Sequence, residues 1–400
     1  MAPAACPHAR PGKLPGVHGG VNSRVTRLKR RVRSLALLLF PALLVGCGLA
    51  SGRALRTVPP GEWTQTLRDA TRAPFAAEHA PEAPVEQWRA THERGVLSAP
   101  VLHGDLLILP ASSRVLLTVS ADDGERYWRR RFNGPVVGTA LRQGDRIFVA
   151  TASRDGRVYA LDAARGRRLW DARLRSPATA DPVLAGDRVI VSSVRGELSA
   201  LHAEDGRTLW RVSIPGAQLG APVLDGDAVL LATARDTLLR VATADGRVLA
   251  TRALPGTPSA PLARNGRTLL VPLHPGLLAH YALPALELAR VDTIGAPALA
   301  APAVAADGTV YLLTANAELW RADDFGATRL AALGGSARES LTLAANGLLV
   351  GRLDGTLLLL RADGTEVWRR AFDGPLRAPV VLGGGAAYVS VLNGKLVKLQ

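Results

Sequence analysis

The feature that most constrains this chain is a repeat. Residues 155–170 read DGRVYALDAARGRRLW, and residues 195–210 read RGELSALHAEDGRTLW. Each copy holds a strand-like run with period-two alternation, a Gly-containing turn, and a second run ending on Trp. The stretch from Gly156 to Trp170 is the sharpest copy. Trp88, Trp128, Trp170 and Trp210 mark the same place at steps of 40, 42 and 40 residues, and Trp368 marks a later copy. Between Trp210 and Trp368 the Trp is lost but the frame persists. Ala250 in ADGRVLA, Ala289 in LPALELA and a position near Arg329 in DDFGATRLA take its place. A regular period of about 40 residues is read as a repeat architecture before any domains are counted.

A second landmark falls about eleven residues after each of these and opens a strand. It reads Ala99-Pro100, Asp181-Pro182, Ala221-Pro222, Ala260-Pro261, Ala301-Pro302 and Ala378-Pro379, with Thr139-Ala140 and Ser340-Leu341 in the other two slots. Next come a short apolar strand, a Gly-Asp or Asp-Gly turn and another strand, clearest in VLAGDRVIVSS and VLDGDAVLLAT. Each period is therefore four short antiparallel strands, the signature of a propeller blade. Trp88 has no first three strands before it, and three strands follow Trp368 before Gln400. The N-terminal strand, near residues 85–90, would complete the last blade and close the ring without an open edge. The expected fold is all-β, an eight-bladed β-propeller over residues 84–400. A seven-bladed ring is the alternative if the units near 301–330 or 340–368 are miscounted.

Composition narrows the function. Forty Gly and 27 Pro suit many turns, and two cysteines, Cys6 and Cys47, exclude a disulfide framework. The formal charge is +15, but eight basic residues precede Cys47 with no acid among them; without that segment, 15 − 8 leaves +7. Four residues are Lys and the remaining cations are Arg, spread through the repeats rather than gathered into a block. No nucleic-acid motif is present, and no nucleic-acid partner is expected.

Arg24 to Arg33 form a dense basic stretch, and Ser34 to Gly46 an apolar run of signal-peptide length, interrupted by Pro41. The run ends Leu44-Val45-Gly46-Cys47. It resembles the lipobox of bacterial lipoproteins. The resemblance implies that Cys47 takes a diacylglyceryl group and becomes the mature N-terminus. Acyl chains anchor through about 0.8 kcal/mol per buried CH2. Residues 1–46 are then a signal peptide with a basic extension. Residues 47–83, rich in Ala, Pro and Glu toward their end, are a flexible tether. Gly48 follows the Cys where an Asp would signal inner-membrane retention in enteric-type lipoproteins, so the outer membrane, periplasmic face, is expected.

The motifs DGRVYALDAARGRRLW and EDGRTLWRV, with the APVL-GD strand, resemble the repeat of quinoprotein-like (PQQ-like repeat) propellers, a family with both cofactor-carrying enzymes and non-enzymatic members. A lipobox followed by one bare ring resembles the propeller lipoproteins of the outer-membrane β-barrel assembly machinery. The resemblance implies that Trp88, Trp128, Trp170, Trp210 and Trp368 pack flat against neighbouring blades. It also implies a protein partner, the barrel-inserting component, met through the connections after blades three and four. Here these are residues 211–222 (RVSIPGAQLGAP) and 251–261 (TRALPGTPSAP), with Gln218 and Leu219 as candidate contacts. The first lacks the basic residue of the family loop, and the second lacks its acidic pair.

The sequence offers little for catalysis. Dehydrogenases of the family hold a quinone and a metal ion with residues from long insertions, and periods of about 40 residues leave no room for these. Asp155, Asp205, Asp245, Asp307, Asp354 and Asp363 sit in Asp-Gly turns, where Asp bonds its own backbone. His8, His18, His79, His92, His103, His202, His274 and His280 show no metal-ligand spacing, and His274 and His280 read as solvated or hairpin residues. No GxSxG and no phosphate loop occurs. The expected function is a non-enzymatic, monomeric, lipid-anchored scaffold of the envelope with no cofactor. A PQQ-binding redox protein and an envelope glycan-binding module are the alternatives.

Overall fold

The structure, a computed structural model, describes residues 78–92, 99–111 and 114–400. Cys47, the signal-like segment and the tether up to residue 77 lie outside the described residues. Thirty-two strands form eight four-stranded antiparallel sheets. Blade 1 runs from Val101 to Arg131, blade 2 from Val136 to Arg173, blade 3 from Val183 to Ser213 and blade 4 from Gln218 to Ala253. Blade 5 runs from Ala263 to Thr293, blade 6 from Ala303 to Ala332 and blade 7 from Ala337 to Ala371. Blade 8 joins Val381–Gly383, Ala386–Val391 and Lys395–Leu399 to the N-terminal strand Glu86–Thr91. Eight sheets rule out the seven-bladed alternative.

The second and third strands of a blade are buried along nearly their whole length, as in Leu106–Ala111, Val115–Ser120 and Ala228–Thr233. Each blade packs on both faces, so continuous apolar runs replace the in-out alternation of a half-solvated sheet. The apolar clusters lie between blades. Phe148 and Trp170 of blade 2 join Val189, Val191 and Leu201 of blade 3. Val183 and Trp210 of blade 3 join Leu231 and Val241 of blade 4. The fourth strands form the outer rim and alternate toward solvent.

One contact recurs along the first half of the ring. Trp128, Trp170 and Trp210 donate their indole Nε1–H to the carbonyls of Ala163 (2.8 Å), Ala203 (3.0 Å) and Thr243 (2.9 Å) of the next blade. Trp88 does the same to Ala121 at 3.3 Å. Each acceptor is the first residue after the third strand. Three residues on stands a Gly, and the indole lies flat on it. A Cβ on Gly206, whose φ is 74°, would stand 2.5 Å from Cε3 of Trp170. That position requires Gly twice over, for the positive φ and for the close approach. Gly186, with φ 61° and nothing within 4 Å of a Cβ, needs only the backbone freedom of a tight turn.

Closure repeats the contact with different atoms. Blade 8 has no chain turn between its third and fourth strands, which are Lys395–Leu399 and Glu86–Thr91. Trp368 donates instead to the Pro81 carbonyl at 2.9 Å. Asn346 holds Ala80 by both backbone groups, at 2.8 and 2.9 Å. Val85 and Gln400 exchange backbone bonds of 2.8 and 2.9 Å. The segment from Glu78 to Pro84 thus stands in for the missing turn, and the two strands that close the ring are fixed to each other.

Replacing Trp170 by Ala will cost about 3–5 kcal/mol of stability, the usual range for an aromatic truncated in a core. Gly206→Ala will also destabilise, and urea denaturation of the double variant will show less than the sum of the two losses, because both remove one contact. Additive losses would show that the two residues do not act as a pair.

Candidate functional site: the seams without tryptophan and the connection loops

Three seams lack the indole, and each is rebuilt differently. At the seam of blades 4 and 5, Ala250 holds the Trp position, and the Gly beneath it is replaced by Leu286, which is fully buried with φ 57°. Large-on-small has become small-on-large, and both residues join one apolar cluster. The Leu283 carbonyl, which would accept an indole N–H, takes Arg267 from its own blade at 3.1 Å. At the seam of blades 6 and 7, Leu330 and Ala331 lie over Gly364.

The seam of blades 5 and 6 is polar. Strand register pairs His280 with Arg290 as it pairs Ala160 with Trp170. Arg290, rather than the expected Ala289, therefore stands in the Trp position; it follows Ala250 by the same 40 residues that separate Ala250 from Trp210, with the same outer-strand bulge. Its guanidinium donates to the Asp324 carbonyl at 2.9 Å and the Asp323 carbonyl at 2.7 Å. Asp324 is the first residue after the third strand, so Arg290 meets the carbonyl that an indole meets elsewhere. Arg290 also pairs with the Asp292 carboxylate at 2.9 Å, and His280 Nε2 lies 2.9 Å from the same oxygen. A cavity of about 230 Å³ opens here, lined by Asn265, Thr268, His280, Arg290, Val310 and Asp323 among others.

His280 and Asp292 are buried, which corrects the reading of His280 as solvated; His274, at the turn before it, is exposed. Burial holds the His280 pKa below the usual imidazole value; the Arg290 charge adds to this, and the Asp292 carboxylate opposes it. No Ser, Thr or Cys side chain is hydrogen-bonded to this pair. Asp292 is satisfied by an Arg as well as a His, which makes the group a buried ion-pair network rather than a nucleophile-base arrangement. Among the described residues, His103 is the other buried histidine. Burial first, and then the Arg142 charge beside it, lower its pKa to about 4.

Among the described residues, no group of three or more His, Cys, Asp or Glu side chains could hold a metal ion. The Asp-Gly turns are local: Asp205, Asp245, Asp307, Asp354 and Asp363 each accept the backbone N–H two residues on, at 2.9 Å.

The fourth strand of each blade ends at the connection to the next, so these connections and the turns between second and third strands share one face. In that face the backbone is pinned blade by blade. Leu174 N–H donates to Gly156, Ile214 to Gly196, Leu254 to Asp236 and Ile294 to Gly276. Gln218 and Leu219 fall inside the first strand of blade 4, Gln218–Asp225, not in an open loop. Gln218 is 2% exposed and its Nε2 donates to the Gly220 carbonyl at 2.8 Å, so it is not available as a surface contact. Leu219 is half-buried and paired with Ala232. The exposed residues of the two expected connections are instead Arg211, Ser213 and Pro215 in the first, and Thr251, Arg252, Ala253, Pro255 and Thr257 in the second. Sequence gave no signal for this exchange, because the extra residues that lengthen the first strand of blade 4 resemble loop.

Known proteins share this architecture. The family model described as outer membrane protein assembly factor BamB matches residues 80–180 and 154–295. Among solved structures, BamB from Moraxella catarrhalis superposes with a TM-score of 0.65 at 19% identity, over 80% of this chain and 98% of that one. Quinohemoprotein alcohol dehydrogenase from Comamonas testosteroni gives a TM-score of 0.72 at 13% identity, over 85% and 80%. A europium-containing methanol dehydrogenase gives 0.69 at 13%, over 83% and 90%. At these identities the structural likenesses establish the fold alone. A comparison with curated protein sequences finds no match.

Two outcomes follow from the buried groups. Arg290→Ala will destabilise the ring, by less than the roughly 3–5 kcal/mol of a fully buried ion pair because the Arg290 side chain keeps 31% exposure, and will raise the His280 pKa, since the lowering Arg charge is removed and the raising carboxylate stays; an imidazole NMR titration reads this. His103 has a folded pKa below its unfolded value, so the unfolded chain binds more protons in acid. Stability will therefore fall as pH drops from 6.5 toward 4, by no more than roughly 3 kcal/mol at about 1.4 kcal/mol per pKa unit. His103→Gln will flatten that part of the stability–pH curve.

Proposed function

The chain belongs to the family described as outer membrane protein assembly factor BamB, and from that premise we propose that it is a non-enzymatic scaffold of the outer-membrane β-barrel assembly machinery. The observation that carries this reading is the family match, which covers residues 80 to 295. The bareness of the ring supports it. The connections between blades are short, as in Leu174–Pro182 and Leu254–Leu262, and carry no inserted subdomain among the described residues. A rigid ring with short loops at both ends offers binding surface without moving parts.

In this reading Cys47 is lipidated and residues 48–77 tether the ring to the periplasmic face of the outer membrane. The partner is the barrel-inserting component of the machinery, engaged through the face of the connections after blades 3 and 4. Arg211, Arg252 and Thr257 are the exposed residues there that a partner would touch.

Affinity capture of the full-length chain from detergent-solubilised envelopes will recover the barrel-inserting protein. Capture that returns no barrel-assembly component would overturn the reading. Cys47→Ala will block both lipidation and the cleavage before position 47, so that no processed, membrane-anchored chain forms; a variant that is still processed and fully membrane-attached would remove the anchor from the proposal. Incubation with PQQ and Ca2+ will leave no stoichiometric chromophore, and a bound quinone spectrum would favour a redox protein instead.

A further inference from the structure

One side chain of the ring works against its solubility. Phe325 has a relative exposure of 101%, while Phe132, Phe148 and Phe372 are buried at 5%, 0% and 7%. It sits at the tip of a two-residue hairpin in blade 6, where Asp323 pairs with Gly326 and Asp324 and Phe325 form the turn. The corresponding turns of blades 3, 4 and 7 end in Asp-Gly. Phe325 contributes no packing to the ring and carries the full cost of an exposed aromatic.

The tip is held in place. Asp323 Oδ1 accepts the Phe325 backbone N–H at 2.9 Å. Arg290 binds both carbonyls of the turn, Asp323 and Asp324, and is itself held by Asp292. The adjoining outer strand of blade 5 exposes Leu288 and Val291, at 49% and 40%. An aromatic on a fixed backbone loses little entropy when it binds, which is the usual character of an interface anchor.

The surroundings specify the partner. Residues 322–328 (ADDFGAT) carry two acids and no base, and the flanking Arg321 and Arg329 are paired with Asp323 and Glu318, at 3.4 and 2.8 Å. The Asp324 side chain is exposed and makes no ion pair among the described residues. We propose that this hairpin is a docking anchor for a protein partner, with Phe325 entering an apolar pocket and Asp324 pairing with Lys or Arg at its rim. An anionic lipid surface is the poorer occupant, because Asp324 would approach it alongside the Phe. The inference rests on the scaffold reading and extends it. The hairpin lies at the start of the fourth strand and the connection loops lie at its end, so the two faces can hold two partners at once.

The test places a photo-crosslinking benzoylphenylalanine at position 325 or, separately, at Thr257 in the full-length chain expressed in its own cells. The expected result at 325 is an adduct with a protein whose linked peptide maps to an apolar pocket rimmed by Lys or Arg. Asp324→Lys will reduce that adduct about tenfold, the effect of some 1.4 kcal/mol. Thermal melts of Asp324→Lys and Phe325→Ala will match the parent, so loss of folding cannot produce the result. An adduct at 257 with none at 325 would overturn this inference and leave the scaffold reading standing. An adduct at 325 with none at 257 would leave the anchor and remove the connection face. Crosslinking at 325 to lipid, or to protein unaffected by Asp324→Lys, would also overturn it.

Discussion

The ring depends on one contact, an indole laid on a glycine of the next blade with its N–H bonded to a carbonyl three residues earlier. Gly206 receives Trp170, and four residues later Trp210 reaches for Gly246. A single motif therefore receives one neighbour and supplies another, and copying it lengthens a chain of links. Sheet twist tilts each blade against the last, and the contact sets how closely two outer strands approach. The apolar clusters between blades form inside that spacing. At the last seam the chain has no turn to offer, and the Pro81 carbonyl takes the role, which ties closure to residues before the first strand of the ring.

The contact can be replaced where its two demands, volume and a hydrogen-bond donor, are met by other means. Leu286 supplies volume from the opposite side, and Arg267 supplies the donor. Arg290 supplies a donor in the Trp position and brings Asp292 and His280 with it, since a half-buried guanidinium over a seam is best held by a carboxylate. The result is a ring of two unequal parts. Blades 1 to 3, 7 and 8 carry Trp on their outer strands; blades 4 to 6 do not.

Under the proposed scaffold role, this asymmetry has a use. A ring of identical blades would present one surface eight times and could not orient different partners. Here the two faces differ, through loop residues such as Thr257 on one side and a hairpin tip such as Asp324–Phe325 on the other. The scaffold itself is indifferent to these residues, because they lie outside the interblade packing.

Much of this was legible in sequence because a repeat averages over its own noise. The 40-residue period, the four-strand unit and the strand that completes the last blade all follow from the positions of Trp, Ala-Pro and Gly-Asp, since local turn chemistry and alternation are set by neighbours in the chain. The exchange at Leu286, the identity of Arg290 as the Trp substitute and the burial of Gln218 and His280 were not legible. Gln218 is buried because residues that resemble a loop lengthen its strand; the others depend on what the next blade, some 33 to 40 residues away, places against them. Sequence alone determined that the chain closes into a ring of blades; only the tertiary structure decided which side chains fill each seam, because a seam is made of two surfaces and the sequence lists them one at a time.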